Sequence, residues 1–140
     1  MSKAQAGELS IRLTRDLKSL IDRIVELEGP ESSRRSILRY LLALVLRLAQ
    51  SESKYQLRSA EFDSSHSADI VKVRLTACEV LCLRNLAFEY NRIVSSIARD
   101  FLTIGARYYL KFQSTGPRLL KEEFYRRMKE DFLVTTGRVQ

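Results

Sequence analysis

"LSIRLT" at residues 9–14 and "VKVRLT" at residues 71–76 are two spellings of one alternating word. Leu9, Ile11 and Leu13 alternate with Ser10, Arg12 and Thr14; Val71, Val73 and Leu75 alternate with Lys72, Arg74 and Thr76. Period-two alternation predicts a strand with one buried and one wet face. Arg12 and Arg74 hold the same place on the wet face of each copy. Glu8 and Ile70 precede the copies and frame that face.

Outward from each strand the period changes to that of a helix. Leu17, Leu20, Ile21, Ile24 and Leu27 recur at helical spacing, and "EGPE" at 28–31 ends the run. Val80, Leu83, Leu86, Ala87 and Tyr90 do the same in the second copy. Thr14 and Thr76 stand where N-caps belong, and Thr76 with Glu79 forms a T-x-x-E capping box. A second helix is predicted at 32–49, "SSRRSILRYLLALVLRLA", and its counterpart at 94–112, "VSSIARDFLTIGARYYLKF". Ser36, Ile37, Arg39 and Leu42 match Ser96, Ile97, Arg99 and Leu102. The strands are offset by 62 residues and these helices by 60, so the second copy is two residues shorter at its inter-helix turn. Strand, helix, helix is written twice, as an internal duplication.

Repeat 1 is thus assigned to residues 8–50 and repeat 2 to 70–113. The serine-rich stretch 51–69 reads as a linker on which Tyr55, Leu57 and Phe62 can pack. "STGP" at 114–117 breaks the chain again. A C-terminal helix is predicted over 118–133, with Leu120, Phe124, Met128 and Phe132 on one face. Together these form one compact domain, since a lone six-residue strand would leave its backbone groups unpaired. The predicted fold class is mainly α with one short antiparallel two-stranded ribbon. Leu9, Ile11, Leu13, Val71, Val73 and Leu75 would floor its core. The 36–49 helix is apolar nearly all round, Leu42, Leu44 and Leu46 included. Its cover is either the C-terminal helix, the expected answer, or another protein.

The chain has 140 residues and a net charge of +7. Residues 1–50 carry 9 basic and 6 acidic groups, 51–69 carry 2 and 4, 70–113 carry 7 and 3, and 114–140 carry 6 and 4. The basic excess falls on both repeats and points to an anionic partner. No apolar run reaches membrane-spanning length and the first ten residues lack a signal-peptide core, so a cytoplasmic protein without membrane contact is expected. Cys78 and Cys82 lie four apart, far in sequence from the single histidine, His66, and read as reduced packing residues. No metal, no cofactor and no catalytic residue is expected, because no nucleophile–base set or glycine-rich phosphate loop occurs.

Through "LSIRLTRDLKSLIDRIV…SSRRSILRYLL", residues 8–49 resemble the ribbon-helix-helix DNA-binding family, and residues 70–110 resemble it more loosely. Two copies in one chain is similar in organisation to the tandem members that serve F-type plasmid conjugation and Ti-plasmid T-DNA transfer. The resemblance implies a single-chain pseudo-two-fold ribbon-helix-helix fold (β-α-α-linker-β-α-α) that binds double-stranded DNA sequence-specifically, with strand side chains in the major groove. Ser10, Arg12, Lys72 and Arg74 are then the base-contacting candidates. Ser33, Arg34, Arg35, Ser95 and Ser96, at the starts of the second helices, are the phosphate-contacting ones. Val94 and Ser95 replace Arg34 and Arg35 in the second copy, where Ser95 and Ser96 are left to cap the helix. The bland alternatives are solvated charges that block edge pairing and an ordinary N-cap. The implied role is an accessory factor in conjugative or T-DNA-like transfer, partnered by a relaxase or another transfer protein. It would be monomeric in solution and able to assemble on DNA. A transcriptional repressor, of its own operon or another, and an antitoxin or helical adaptor binding a protein partner are the alternatives.

Overall fold

The computed structural model describes residues 7–51, 66–114 and 117–135. The chain runs β1 (Gly7–Thr14), α1 (Arg15–Glu28), α2 (Arg34–Ser51), β2 (His66–Leu75), α3 (Ala77–Tyr90), α4 (Val94–Gln113) and α5 (Lys121–Thr135). It is mainly helical with one two-stranded antiparallel sheet. Tyr55, Leu57 and Phe62 lie outside the described residues.

β1 and β2 pair from Gly7↔Leu75 to Arg12↔Ile70, with a register shift before Thr14↔His66. The central pair is Ser10↔Lys72, two residues that the 62-residue offset also equates. The pairing is therefore symmetric about that point. Ile11, Leu13, Val73 and Leu75 are buried on the inner face, while Leu9 and Val71 pack half-buried at its margin. β2 begins at His66, inside the stretch read from sequence as linker: pairing to β1 supplies the hydrogen bonds that make 66–69 strand despite its polar composition.

Each strand passes straight into a capped helix. The Thr14 hydroxyl accepts from the Leu17 amide at 3.1 Å. Thr76 and Glu79 complete the reciprocal box, with bonds of 2.8 and 3.2 Å. α1 ends at Gly29, whose φ of 103° lies in the left-handed region that favours glycine; α3 ends at Asn91 with φ 55°, a conformation asparagine tolerates. Leu17, Leu20, Ile21 and Ile24 are buried on α1. Leu27, expected on that face, is 39% exposed at the helix end.

α2 and α4 pack on each other under the ribbon. A Cβ at Gly105 of α4 would lie 3.0 Å from Val45 Cγ2 and 3.4 Å from Leu41 Cβ, so glycine permits the close approach of the two helices. Leu42, Leu44, Leu46 and Leu48 are all buried within the chain. α5 contributes Phe124, Tyr125 and Met128 to the same core. Arg47 holds it by a two-bond pair to Glu122 (3.1 and 3.0 Å), with its guanidinium 3.9 Å above the Tyr125 ring. α5 starts three residues later than predicted. Pro117–Leu120 approaches it without helical structure, and Gln113 clamps this approach: its side-chain amide donates to the Leu119 carbonyl (3.0 Å) and accepts from the Leu119 amide (2.8 Å). Leu119 consequently turns inward, whereas Leu120, expected on one face with Phe124 and Met128, is 81% exposed. The side chain of Phe132 lies outside the described residues.

Candidate nucleic-acid interface

Strand alternation sends Glu8, Ser10 and Arg12 to the outer face of β1, and Ile70, Lys72 and Arg74 to that of β2; all six are exposed. Glu8 stands opposite Arg74, Ser10 opposite Lys72, and Arg12 opposite Ile70. Three cations and one carboxylate therefore share one small surface. The four base-contacting candidates are brought together here. Arg12, Lys72 and Arg74 enter no ion pair among the described residues. Their charge is available to a ligand, and a two-stranded ribbon has the width of the B-DNA major groove.

The start of α2 lies at one end of the ribbon. Ser33 is its N-cap: the Ser36 amide donates to the Ser33 hydroxyl and the Ser33 amide to the Ser36 hydroxyl, each at 3.1 Å. This reciprocal box satisfies two of the orphan amides of the first turn. Arg35 is exposed. Arg34 is not a free cation. Its Nε and Nη2 donate to Asp22 (2.9 and 3.2 Å) and its Nη1 to Asp69 (2.9 Å), and Lys18 closes the group by pairing with Asp22 at 3.3 Å. Burial opposes ionisation of Asp22, but the hydrogen bonds from Arg34 and Lys18 prevail and pull its carboxyl below the usual range. The same contact with Asp22, opposed by partial burial, raises Arg34. The expectation that Arg34 stands ready for a phosphate is thus corrected: two carboxylates already hold it, and it fixes α1, α2 and β2 to one another.

The second repeat is built differently at the matching places. Ile93 is the N-cap of α4, without a side-chain cap bond, so Ser95 and Ser96 lie inside the first turn and do not cap it. The shorter turn after Asn91 leaves no serine at the cap position. Ser96 is instead held by Arg92, which also pairs with Asp100 at 2.6 Å. In place of Asp69, Lys18, Asp22 and Arg34, the repeat offsets give Gly7, Val80, Arg84 and Val94. These four line a shallow cleft with Glu8, Leu9, Leu75 and Leu83. One end of the ribbon is closed by an ion-pair network; the other is an apolar notch beside an exposed arginine, Arg84.

Sequence reading missed Asp22, Lys18, Asp69 and Arg84. The Lys18–Asp22 spacing of four was a legible signal. Asp69 had none, because it fell in the presumed linker.

Comparison with known protein families, curated proteins and solved structures finds no match for this chain. Among the described residues no helix is long and apolar enough to cross a membrane, and no group of His, Cys, Asp or Glu could hold a metal ion.

Proposed function

We propose that this chain is a single-chain ribbon-helix-helix protein that binds double-stranded DNA sequence-specifically, laying its β1–β2 ribbon in the major groove. One observation carries the reading: the outer ribbon face, centred on Ser10 and Lys72, presents Arg12, Lys72 and Arg74 without an ion pair among the described residues. Arginine paired with guanine O6 and N7 is the commonest specific contact in that groove. The exposed Arg35 and the positive dipole end of α2 supply backbone anchoring on one side. Ser95 offers weaker anchoring on the other, where Arg92 already holds Ser96. The protein has no catalytic step of its own. It marks or bends DNA for others, and the tandem organisation favours a place beside a relaxase in DNA transfer. Selection of bound sequences from a random duplex library tests the binding. Enrichment of a defined site supports it; no enrichment, or equal affinity for all duplexes at physiological salt, refutes it. A footprint beside a nick site supports the transfer role, whereas one over a promoter replaces it with repression.

A further inference from the structure

The two repeats differ most on their outward helix faces. Along α1 Ser19, Arg23 and Glu26 are exposed, and Asp16 on the same side is half-buried in an ion pair with Arg107 of α4. Along α3 the matching positions, 62 residues on, are Cys78, Leu81, Asn85 and Phe88. Phe88 is 90% exposed and Leu81 61%. Exposed Ser19 and Glu26 become exposed Leu81 and Phe88 at the equivalent places, a change the shared core does not require. Exposed apolar side chains gathered in this way mark a contact site.

The spacing of the stripe says what fits on it. Positions 78, 81, 85 and 88 alternate by three and four residues, the seam along which two α-helices pack side by side. Arg84 and Glu89 flank this seam on opposite sides, five residues apart, and neither enters an ion pair among the described residues. When two such helices run parallel, the arginine of each faces the glutamate of the other; when they run antiparallel, like flanks meet. Asn85 sits mid-seam, where an asparagine pair suits a parallel two-helix arrangement. The surface is therefore complementary to itself in one orientation.

We infer that α3 is the contact between two copies of this chain, packed parallel about a two-fold axis. Leu81 and Phe88 form its apolar part, and Arg84 of each copy meets the second copy's Glu89. Fourteen residues give only two heptads, so the contact is weak between free molecules and gains strength where two copies are held side by side. It does not depend on DNA binding.

The arrangement brings the two Cys78 thiols together, whereas antiparallel packing would part them by more than 10 Å at about 1.5 Å of rise per residue. Cys78 is exposed, so it serves as a probe. The test uses the full chain carrying Cys82→Ser, oxidised at high protein concentration without DNA. An inter-chain disulfide through Cys78 is expected. Phe88→Glu should abolish it, Arg84→Glu should lower its yield several-fold, and Arg84→Glu combined with Glu89→Arg should restore it. Under reducing conditions, sedimentation equilibrium should detect reversible self-association that Phe88→Glu removes. Arg84, Phe88 and Glu89 are surface side chains and Cys82 is half-buried against the core, so thermal melts of each variant verify that it folds. No linked species, or a yield indifferent to Phe88→Glu, overturns the inference. Self-association without Cys78 linkage overturns the parallel packing. With no DNA present, failure here leaves the DNA-binding proposal untouched.

Discussion

The Arg34 guanidinium meets the Asp69 carboxylate at 2.9 Å, joining the first turn of α2 to the edge of β2. Because Asp22 shares the same guanidinium, three elements depend on one side chain. Its neighbour Arg35 has the same chemistry and a different situation, exposed at the helix start.

Arg34→Ala and Arg35→Ala should therefore separate stability from binding. The first should destabilise the fold by about 1 kcal/mol, a modest figure because the partners are about a third exposed. The second should leave the melting temperature unchanged and weaken binding to all duplexes alike, as loss of a phosphate contact does. Thermal melts and binding titrations on selected and random duplexes decide it. Equal effects of the two on stability would contradict the assigned roles.

On the ribbon face, Arg12→Ala and Arg74→Ala should each cost about 1–3 kcal/mol of binding and relax preference at different base pairs. The strands carry different outer residues, so the selected site should be two dissimilar half-sites. Affinity should also fall with salt, with a log–log slope of about −0.9 per neutralised phosphate. A perfect palindrome, or loss of the same base preference in both variants, would count against the asymmetric reader.

Both strands of the ribbon belong to one chain, so folding should not depend on a second molecule. In a Phe88→Glu background, which removes contact between copies, the urea midpoint should be the same across a wide range of protein concentration. Residues 1–50 alone should be unfolded or self-associated, since β1 then lacks its partner. A midpoint that rises with concentration would mean the ribbon forms between chains.

Glu28 at the end of α1 accepts from Tyr109 of α4 and from Arg118, and Arg118 also donates to Tyr109 at 2.9 Å. Burial opposes ionisation of Glu28, but hydrogen bonds from Arg118 and Tyr109 outweigh it and hold the carboxyl below its ordinary value. Burial, then the bond to Glu28, pushes the Tyr109 phenol well up. The carboxylate's contribution is complete above the ordinary range and fades as pH falls through and below about 4. The phenol's is complete below about 10 and fades as pH rises beyond it. The contribution of this network should thus be flat between these limits and decline outside them. Tyr109→Phe should lower the plateau by about 1–2 kcal/mol and blunt the alkaline decline. Urea midpoints across pH measure both; an unaltered alkaline limb would show the phenol is not responsible.

The parts of this fold that rest on local pattern were legible in the sequence. Alternation at 9–14 and 71–76 places both strands, and the Thr14 and Thr76 caps place the helices that follow. The outer ribbon residues follow from the same alternation. What escaped depended on distant partners. Residues 66–69 are strand because β1 lies beside them, and Arg34 is occupied because Asp22 and Asp69 come to it from two other elements. Leu119 rather than Leu120 enters the core because Gln113 fixes the backbone there. The second helix of repeat 2 begins at an uncapped isoleucine because its turn is two residues shorter, a difference visible in the offset but silent about which residue would take the cap.

Housing β1 and β2 in one chain also changes how the outer face can be inherited. Where two identical chains build a ribbon, one codon sets both strands, and any replacement strikes both sides at once. Here Arg12 and Arg74 have separate codons. One side of the ribbon can be rewritten while the other keeps its residues, so each step of divergence starts from a protein with half of its surface intact.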